Sequence, residues 1–230
     1  MHGQNLKWAT EGSKAIVKVD VVVPAYNSER TLGKCLRAIR ECMDVNNLIV
    51  VYSESKDNTL KIAESYSDLV LSVPKGNIGL ARAVGLQEVK TPYYASVDSD
   101  VAVNREWYEW CIRTIQQKDV AACQGFAKPI ARIYGSLYEK FLFEGMGLRG
   151  RGFLCLGNTM LKTEVVKRVG MPRLHVGEDW ELRKRIQKIG YKWVSNIKIK
   201  TTHLKTDIDV IKIILGEMKW LGELKEFLTH

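Results

Sequence analysis

Asp98 and Asp100 stand one residue apart at the end of an apolar run, Tyr93 to Val103 (YYASVDSDVAV). Two carboxylates so close repel, and each raises the other's affinity for a proton. Exposure to water would relieve that, and so would a cation. Hard oxygen ligands at a strand end suit Mg²⁺ or Mn²⁺, which one or two carboxylates hold together with substrate phosphates. Such an ion also neutralises charge on a departing diphosphate. Farther along, Glu178 and Asp179 open a helical pattern, where the helix dipole favours an ionised carboxylate.

These residues need a frame, and the first half of the chain supplies one. Val19–Asn27 (VDVVVPAYN) reads as a buried strand closed by Pro24 and Asn27. Ser28 is placed to cap a helix whose face carries Leu32, Leu36 and Ile39, with Arg30, Lys34 and Arg37 outward. Asn47–Ser53 and Leu69–Val73 are further strands. Asp57 opens a helix between them, and Leu80–Glu88 forms one after the Gly76-Asn77 turn. Tyr93–Asp98 is the fourth strand, followed by a helix over Arg105–Gln117. Strand–helix alternation with apolar strands predicts an α/β fold, a mostly parallel sheet flanked by helices. Ligands of such sheets bind beyond the carboxyl ends of the strands. Pro24 to Asn27, Ser53 to Ser55 and Asp98 to Asp100 all fall at such ends and are expected along one rim.

The second half is less regular. Val120–Ala127, Leu154–Lys162 and Trp193–His203 read as strands, and Glu178–Ile189 as a helix stopped by Gly190. Arg132–Leu148 reads as a helix, Gly145–Phe153 as a basic glycine-rich loop, and Asp207–Leu228 as a closing amphipathic helix. The expected organisation is an extension over 1–18, a domain over 19–206 with halves 19–118 and 119–206, and a C-terminal helix over 207–230.

The chain has 230 residues, 46% of them apolar, enough for one sizeable core. Its formal charge of +9 fits a polyanionic partner, whether nucleic acid, an anionic membrane surface or a phosphorylated small molecule. Five cysteines without a CxxC indicate neither a disulfide framework nor a zinc site, and point to a reducing compartment. The polar N-terminal stretch has no apolar h-region, so no signal peptide is expected. No apolar run approaches the length of about 20 residues that crosses a bilayer. The expected location is cytoplasmic, with a peripheral basic face at the membrane.

The ordered set VVVPAYN, SESKDNT, NIGLARAVGL, VDSD and GEDWELRKRIQKIGYKW resembles family 2 of the GT-A-fold glycosyltransferases, from Val19 to His203. The resemblance implies a GT-A fold and an inverting, metal-dependent, single-transfer enzyme using a UDP- or GDP-sugar. The acceptor would be a glycan, a small molecule or a lipid phosphate. It implies donor contacts from Pro24, Ala25, Tyr26, Arg82, Asp98 and Ser99, with Arg82 near the diphosphate. It further implies a metal site of Asp98, Asp100 and His203, and Asp179 as catalytic base with Glu178 beside it. With a lipid-phosphate acceptor no base is needed, and Asp179 would position groups instead. Three positions depart from the family pattern: Tyr52 stands at a usually acidic site, Ala83 at a usual Asn, and Glu54 at a usual Gly, where it offers a polar donor contact. The Gln-x-x-Arg-Trp signature of processive synthases is absent. A sugar-nucleotide-forming nucleotidyltransferase would instead carry a Gly-rich, Arg-containing loop after the first strand, where this chain has PAYNSERTL. A nucleic-acid module would leave the acidic rim unexplained, so no nucleic-acid partner is expected.

Overall fold

The structure is a computed structural model and describes residues 17–131, 155–204 and 206. The sequence-based helices Arg132–Leu148 and Asp207–Leu228 and the Gly145–Phe153 loop lie outside the described residues. One eight-stranded sheet organises the rest, in the order β3-β2-β1-β4-β7-β6-β8-β5. Its strands are β1 (Val19–Ala25), β2 (Val45–Ser53), β3 (Leu69–Val73), β4 (Tyr93–Val97), β5 (Val101–Ala102), β6 (Val120–Pro129), β7 (Asn158–Lys162) and β8 (Lys192–His203). The helices are α1 (Leu32–Cys42), α2 (Thr59–Tyr66), α3 (Ile78–Glu88), α4 (Arg105–Ile115), α5 (Thr163–Val169) and α6 (Glu178–Lys188).

The first four strands are parallel, as the alternation predicts. Beyond them the sheet is mixed: β7 runs antiparallel between β4 and β6, and the short β5 antiparallel to β8. Every residue of β1 is buried, so its side chains alternate between two cores. Val21 and Val23 join Leu32, Leu36 and Ile39 of α1 and Trp107, Cys111 and Ile115 of α4. Val22 joins Ala81 and Leu86 of α3, Val166 of α5, and Leu182 and Ile186 of α6 on the other face. Three of the five cysteines, Cys35, Cys111 and Cys123, pack in the first core, and all five are free thiols.

A buried charge fixes the far end of β1. Asp20 is wholly buried, yet its carboxylate accepts from Lys90 N (2.6 Å), Thr91 N (3.0 Å) and Asn46 Nδ2 (2.8 Å). Those bonds replace lost hydration and tie β1 to the connection entering β4. Asp20 therefore serves the frame, at the strand end opposite the rim.

Local starts differ from expectation in two places. Ser28 is not the cap of α1; Thr31 stands there, with no side-chain cap bond. The Ser28 hydroxyl instead reaches Tyr26 O (3.0 Å) and Ser99 Oγ (2.8 Å), joining the end of β1 to the Asp98–Asp100 turn. Helix α3 begins two residues earlier than its apolar pattern suggests, because Asn77 Oδ1 accepts from Leu80 N (2.7 Å). Among the described residues no helix is long and apolar enough to cross a membrane.

Candidate active site

The carboxyl ends of β1, β2 and β4 open into a cleft of about 410 Å³. Pro24, Ala25, Tyr26 and Ser53 line one part, Asp98, Ser99 and Asp100 another, and Gly76, Asn77, Ile78, Ala81 and His175 complete the wall. The parallel half of the sheet delivers these residues to one rim, as the Rossmann-like arrangement requires. Asn27 ends β1 with a left-handed backbone (φ 46°), a conformation asparagine tolerates. Its backbone N donates to Ser55 Oγ (3.0 Å) and its Oδ1 accepts from Lys56 N (3.0 Å), which fixes the loop after β2 against it.

Arg82 and Asp98 pair with each other. Arg82 is 3% exposed and lies behind the cleft, not in its lining. Its Nη2 donates to Asp98 Oδ1 at 2.5 Å, its Nη1 pairs with Glu178, and its Nε reaches Ser96 Oγ at 3.3 Å. The repulsion between Asp98 and Asp100 is therefore offset first by a buried guanidinium. Asp98 is held on its other sides as well. Its N donates to Gly157 O (2.9 Å), its O accepts from Val101 N (2.9 Å), and its Oδ2 lies where a Cβ on residue 157 would sit. Only glycine fits at 157 while Asp98 keeps this place.

The candidates for the metal site, Asp98, Asp100 and His203, come from the turn between β4 and β5 and from the end of β8. Among the described residues no three His, Cys, Asp or Glu side chains gather as a ready-made metal site. Antiparallel pairing of β5 with β8 sets Val101 against His203 and brings His203 Nε2 to 3.4 Å from Asp100 Oδ1. One carboxylate and one imidazole, with substrate phosphate oxygens to complete the shell, fit Mn²⁺ or Mg²⁺. Asp98 lies two residues from Asp100 on the same turn and lines the same cleft, with its Oδ1 held by Arg82.

The helix carrying Glu178 and Asp179 is pinned beside the cleft. Gly177 turns the chain with a left-handed backbone (φ 79°) just before α6. Glu178 is buried against Arg82, while the Asp179 Oδ1 accepts from Trp180 N (2.8 Å). Burial raises the Asp179 pKa above the usual carboxylate value, and the nearby Asp98 adds to the rise against the pull of Arg82. Glu178 is raised for the same first reason, opposed by Arg82. Burial alone would lower the Arg82 pKa, but Asp98 and Glu178 outweigh it and the group stays charged.

The remaining departures from the family pattern also have places. Tyr52 Oη accepts from Ser55 N (2.9 Å) and donates to Ser55 O (3.1 Å), so the tyrosine braces the loop. Glu54 is exposed and is not among the residues lining the cleft. The sequence reading missed His175. The only local signal was a histidine in the irregular Met171–Gly177 stretch ahead of the acidic pair.

A first prediction tests the buried pair. Arg82→Lys keeps the charge, but one ammonium replaces a fork that holds two carboxylates. Leaving a buried acceptor unmatched costs about 1–3 kcal/mol. Urea unfolding is expected to show a loss of that size with an unchanged slope. A loss below a few tenths would mean the pair does not hold the site.

Comparison with known proteins bears on this arrangement. The family model described as "Glycosyl transferase family 2" matches residues 20–169. The chain is 26% identical over 199 residues to glycosyltransferase GlyA of Streptococcus pneumoniae, an alignment covering 76% of this chain and 29% of that protein. It spans between 29% and 62% of the length of the three curated relatives first matched. Glucosyl-3-phosphoglycerate synthase of Mycobacterium tuberculosis, solved with Mn²⁺, UDP and phosphoglyceric acid, superposes with a TM-score of 0.63 at 19% identity, over 85% of this chain and 73% of that one. The mannosyltransferase PcManGT of Pyrobaculum calidifontis, solved with GDP-Man and Mn²⁺, gives 0.64 at 17% identity, over 80% and 56%.

Proposed function

The chain belongs to glycosyl transferase family 2 and has the GT-A fold, and from that premise we propose that it moves a sugar from a UDP- or GDP-sugar to an acceptor, with inversion, one transfer at a time and with a divalent cation. One observation carries this reading. The ends of β1 and β2 and the Asp98–Asp100 turn converge on one cleft, and behind it Arg82 joins Asp98 to Glu178 at the start of α6. The nucleotides and Mn²⁺ held by the two solved neighbours support the donor class.

The donor nucleotide lies against Pro24, Ala25 and Tyr26, the last of them 49% exposed and open to a base. Asp98 and Ser99 set its ribose and sugar, with Asp98 immobilised by Arg82. Asp100 and His203 would hold Mg²⁺ or Mn²⁺, which when bound neutralises charge on the departing diphosphate. Asp179 takes the proton of an acceptor hydroxyl as that oxygen attacks the anomeric carbon from the face opposite the leaving group. Burial and the nearby Asp98 raise the Asp179 pKa above the ordinary aspartate value, which makes its carboxylate the stronger base. With a lipid phosphate the acceptor is already ionised, and Asp179 then orients it. Glu178 keeps the start of α6 in register with Arg82.

The donor is tested by thermal shift with nucleotide sugars in the presence and absence of Mn²⁺. A true donor at a hundredfold excess over its Kd stabilises by about 2.7 kcal/mol. A panel of UDP- and GDP-sugars that leaves the melting temperature unmoved in Mn²⁺ would contradict the reading. The formal charge of +9 further supports a peripheral basic face toward anionic lipid or a lipid-linked acceptor. Co-sedimentation is expected with anionic vesicles at low salt and to fall at moderate salt. Equal binding to neutral vesicles would end that part of the account.

A further inference from the structure

The segment Met171–Gly177 crosses the start of α3 as a strap. Gly79 N donates to Leu174 O (3.2 Å), and Asn77 Nδ2 donates to Arg173 O (3.1 Å). The contact is close: a Cβ on residue 79 would lie 2.5 Å from Leu174 O and 2.7 Å from Leu174 N, so only glycine admits the strap. Met171 and Pro172 are buried beneath it. The backbone on either side of His175 is thus fixed to a helix end and, two residues on, to the turn that starts α6.

What the strap presents is an imidazole with no structural task. His175 lines the cleft together with Asp98, Ser99 and Asp100, within about 4.0 Å of the Cβ position at Gly76. It is exposed and makes no hydrogen bond to any described residue. The other polar groups of that wall are engaged. Asn77 caps α3 and holds Arg173 O, and Gly79 N holds Leu174 O, so the strap itself covers part of the helix end that would otherwise attract an anion. Arg82 is turned away to Asp98 and Glu178. Among the described residues lining the cleft, His175 is the one basic side chain, in a lining that also holds the Asp98 and Asp100 carboxylates.

A nucleoside diphosphate brings two or three negative charges into this acidic cleft. A metal on Asp100 and His203 can meet part of it, and His175 lines the same cleft as Asp100. We infer that His175 donates a hydrogen bond to the diphosphate of the donor and of the leaving nucleotide. The inference rests on the transferase reading above. It adds a contact made by a strap whose far end carries the candidate base, so the group that holds the leaving diphosphate and the group that activates the acceptor share one short, anchored segment.

The test is calorimetric titration of the full chain with UDP and with GDP at fixed excess Mn²⁺, in wild type, His175→Ala and His175→Gln. A contact to the diphosphate is independent of the base. His175→Ala is therefore expected to weaken UDP and GDP by the same factor, about tenfold or 1.4 kcal/mol, leaving their affinity ratio and the melting temperature of the free protein unchanged. His175→Gln, which keeps an N–H donor, is expected to recover part of the loss. Unchanged affinity in His175→Ala would overturn the inference, as would a loss confined to one of the two nucleotides, which would place the contact on the base. A wild-type protein that binds neither nucleotide would instead bring down the transferase reading, and this inference with it.

Discussion

Asp100→Ala is expected to abolish metal-dependent turnover while the fold persists. Asp100 sits at the rim with its side chain 21% exposed and His203 beside it, so removing the carboxylate opens no core. Its backbone oxygen still accepts from Leu204 N (2.7 Å), and Asp98 remains fixed by Arg82. What is lost is the carboxylate beside His203 and, on the proposed reading, half of a two-residue ligand set. A carboxylate-free remnant of His203 alone is a poor site for a hard cation. The measurement is turnover against Mn²⁺ concentration, with the melting temperature recorded on the same preparation. Wild type should be silenced by chelation and restored by Mn²⁺. Asp100→Ala should stay inactive at every Mn²⁺ level, with a melting temperature close to wild type. Full activity of the variant in Mn²⁺ would remove Asp100 from the metal site.

The second large effect belongs to Asp179. With a hydroxyl acceptor, Asp179→Asn is expected to lower kcat by about 10² to 10⁴, the usual worth of a positioned base. Donor affinity should change little, because Asp179 lies outside the lining of the donor cleft. Glu178→Gln should cost less in rate, since it disturbs placement through Arg82 rather than the proton. The pH profile adds an independent check. Asp179 acts only when ionised, and burial raises its pKa. Activity should thus be present at neutral pH and lost as pH falls through a value above the ordinary aspartate range. For stability the sign reverses. The folded state binds the Asp179 proton more tightly than the unfolded chain, so its contribution favours folding at low pH and disappears as pH rises through the folded pKa. At neutral pH the Asn variant should therefore be at least as stable as wild type. A variant with normal kcat and a lowered melting temperature would make Asp179 a helix-start residue with no part in the chemistry.

The sequence made half of this arrangement legible, and the reason is physical. The first four strands declare themselves because each is a short apolar or aromatic run stopped by Pro or a polar turn, and their parallel alternation with helices forces one common rim. Pro24, Tyr26 and Asp98 to Asp100 could be placed together on that ground alone. The pairing of Arg82 could not. Its two carboxylates lie 16 and 96 residues away along the chain, and no periodicity marks a partner at such separations. The resemblance implies Arg82 near the diphosphate and Asp98 at the donor and the metal; that the two also pair with each other is what the sequence does not show. Strand β7 was legible as a strand, but not its antiparallel insertion between β4 and β6, since a strand's sequence does not name its neighbour. His203 was placed by its family resemblance; the short β5 that brings it beside Asp100 has only two residues and leaves no pattern. The strap bearing His175 is irregular backbone, whose conformation is set by the helix it lies on.

Phosphorus NMR of a reaction mixture reads the central claim most directly. The full chain is incubated with Mn²⁺, a panel of glycan and lipid-phosphate acceptors, and in turn UDP-sugars, GDP-sugars, or a nucleoside triphosphate with a sugar 1-phosphate. Glycosyl transfer predicts the two resonances of free UDP or GDP growing at the expense of the nucleotide sugar, dependent on acceptor and on Mn²⁺, and absent in Asp100→Ala. Inorganic pyrophosphate growing from the triphosphate mixture, with no nucleoside diphosphate from any nucleotide sugar, would contradict the account and make the protein a nucleotidyltransferase.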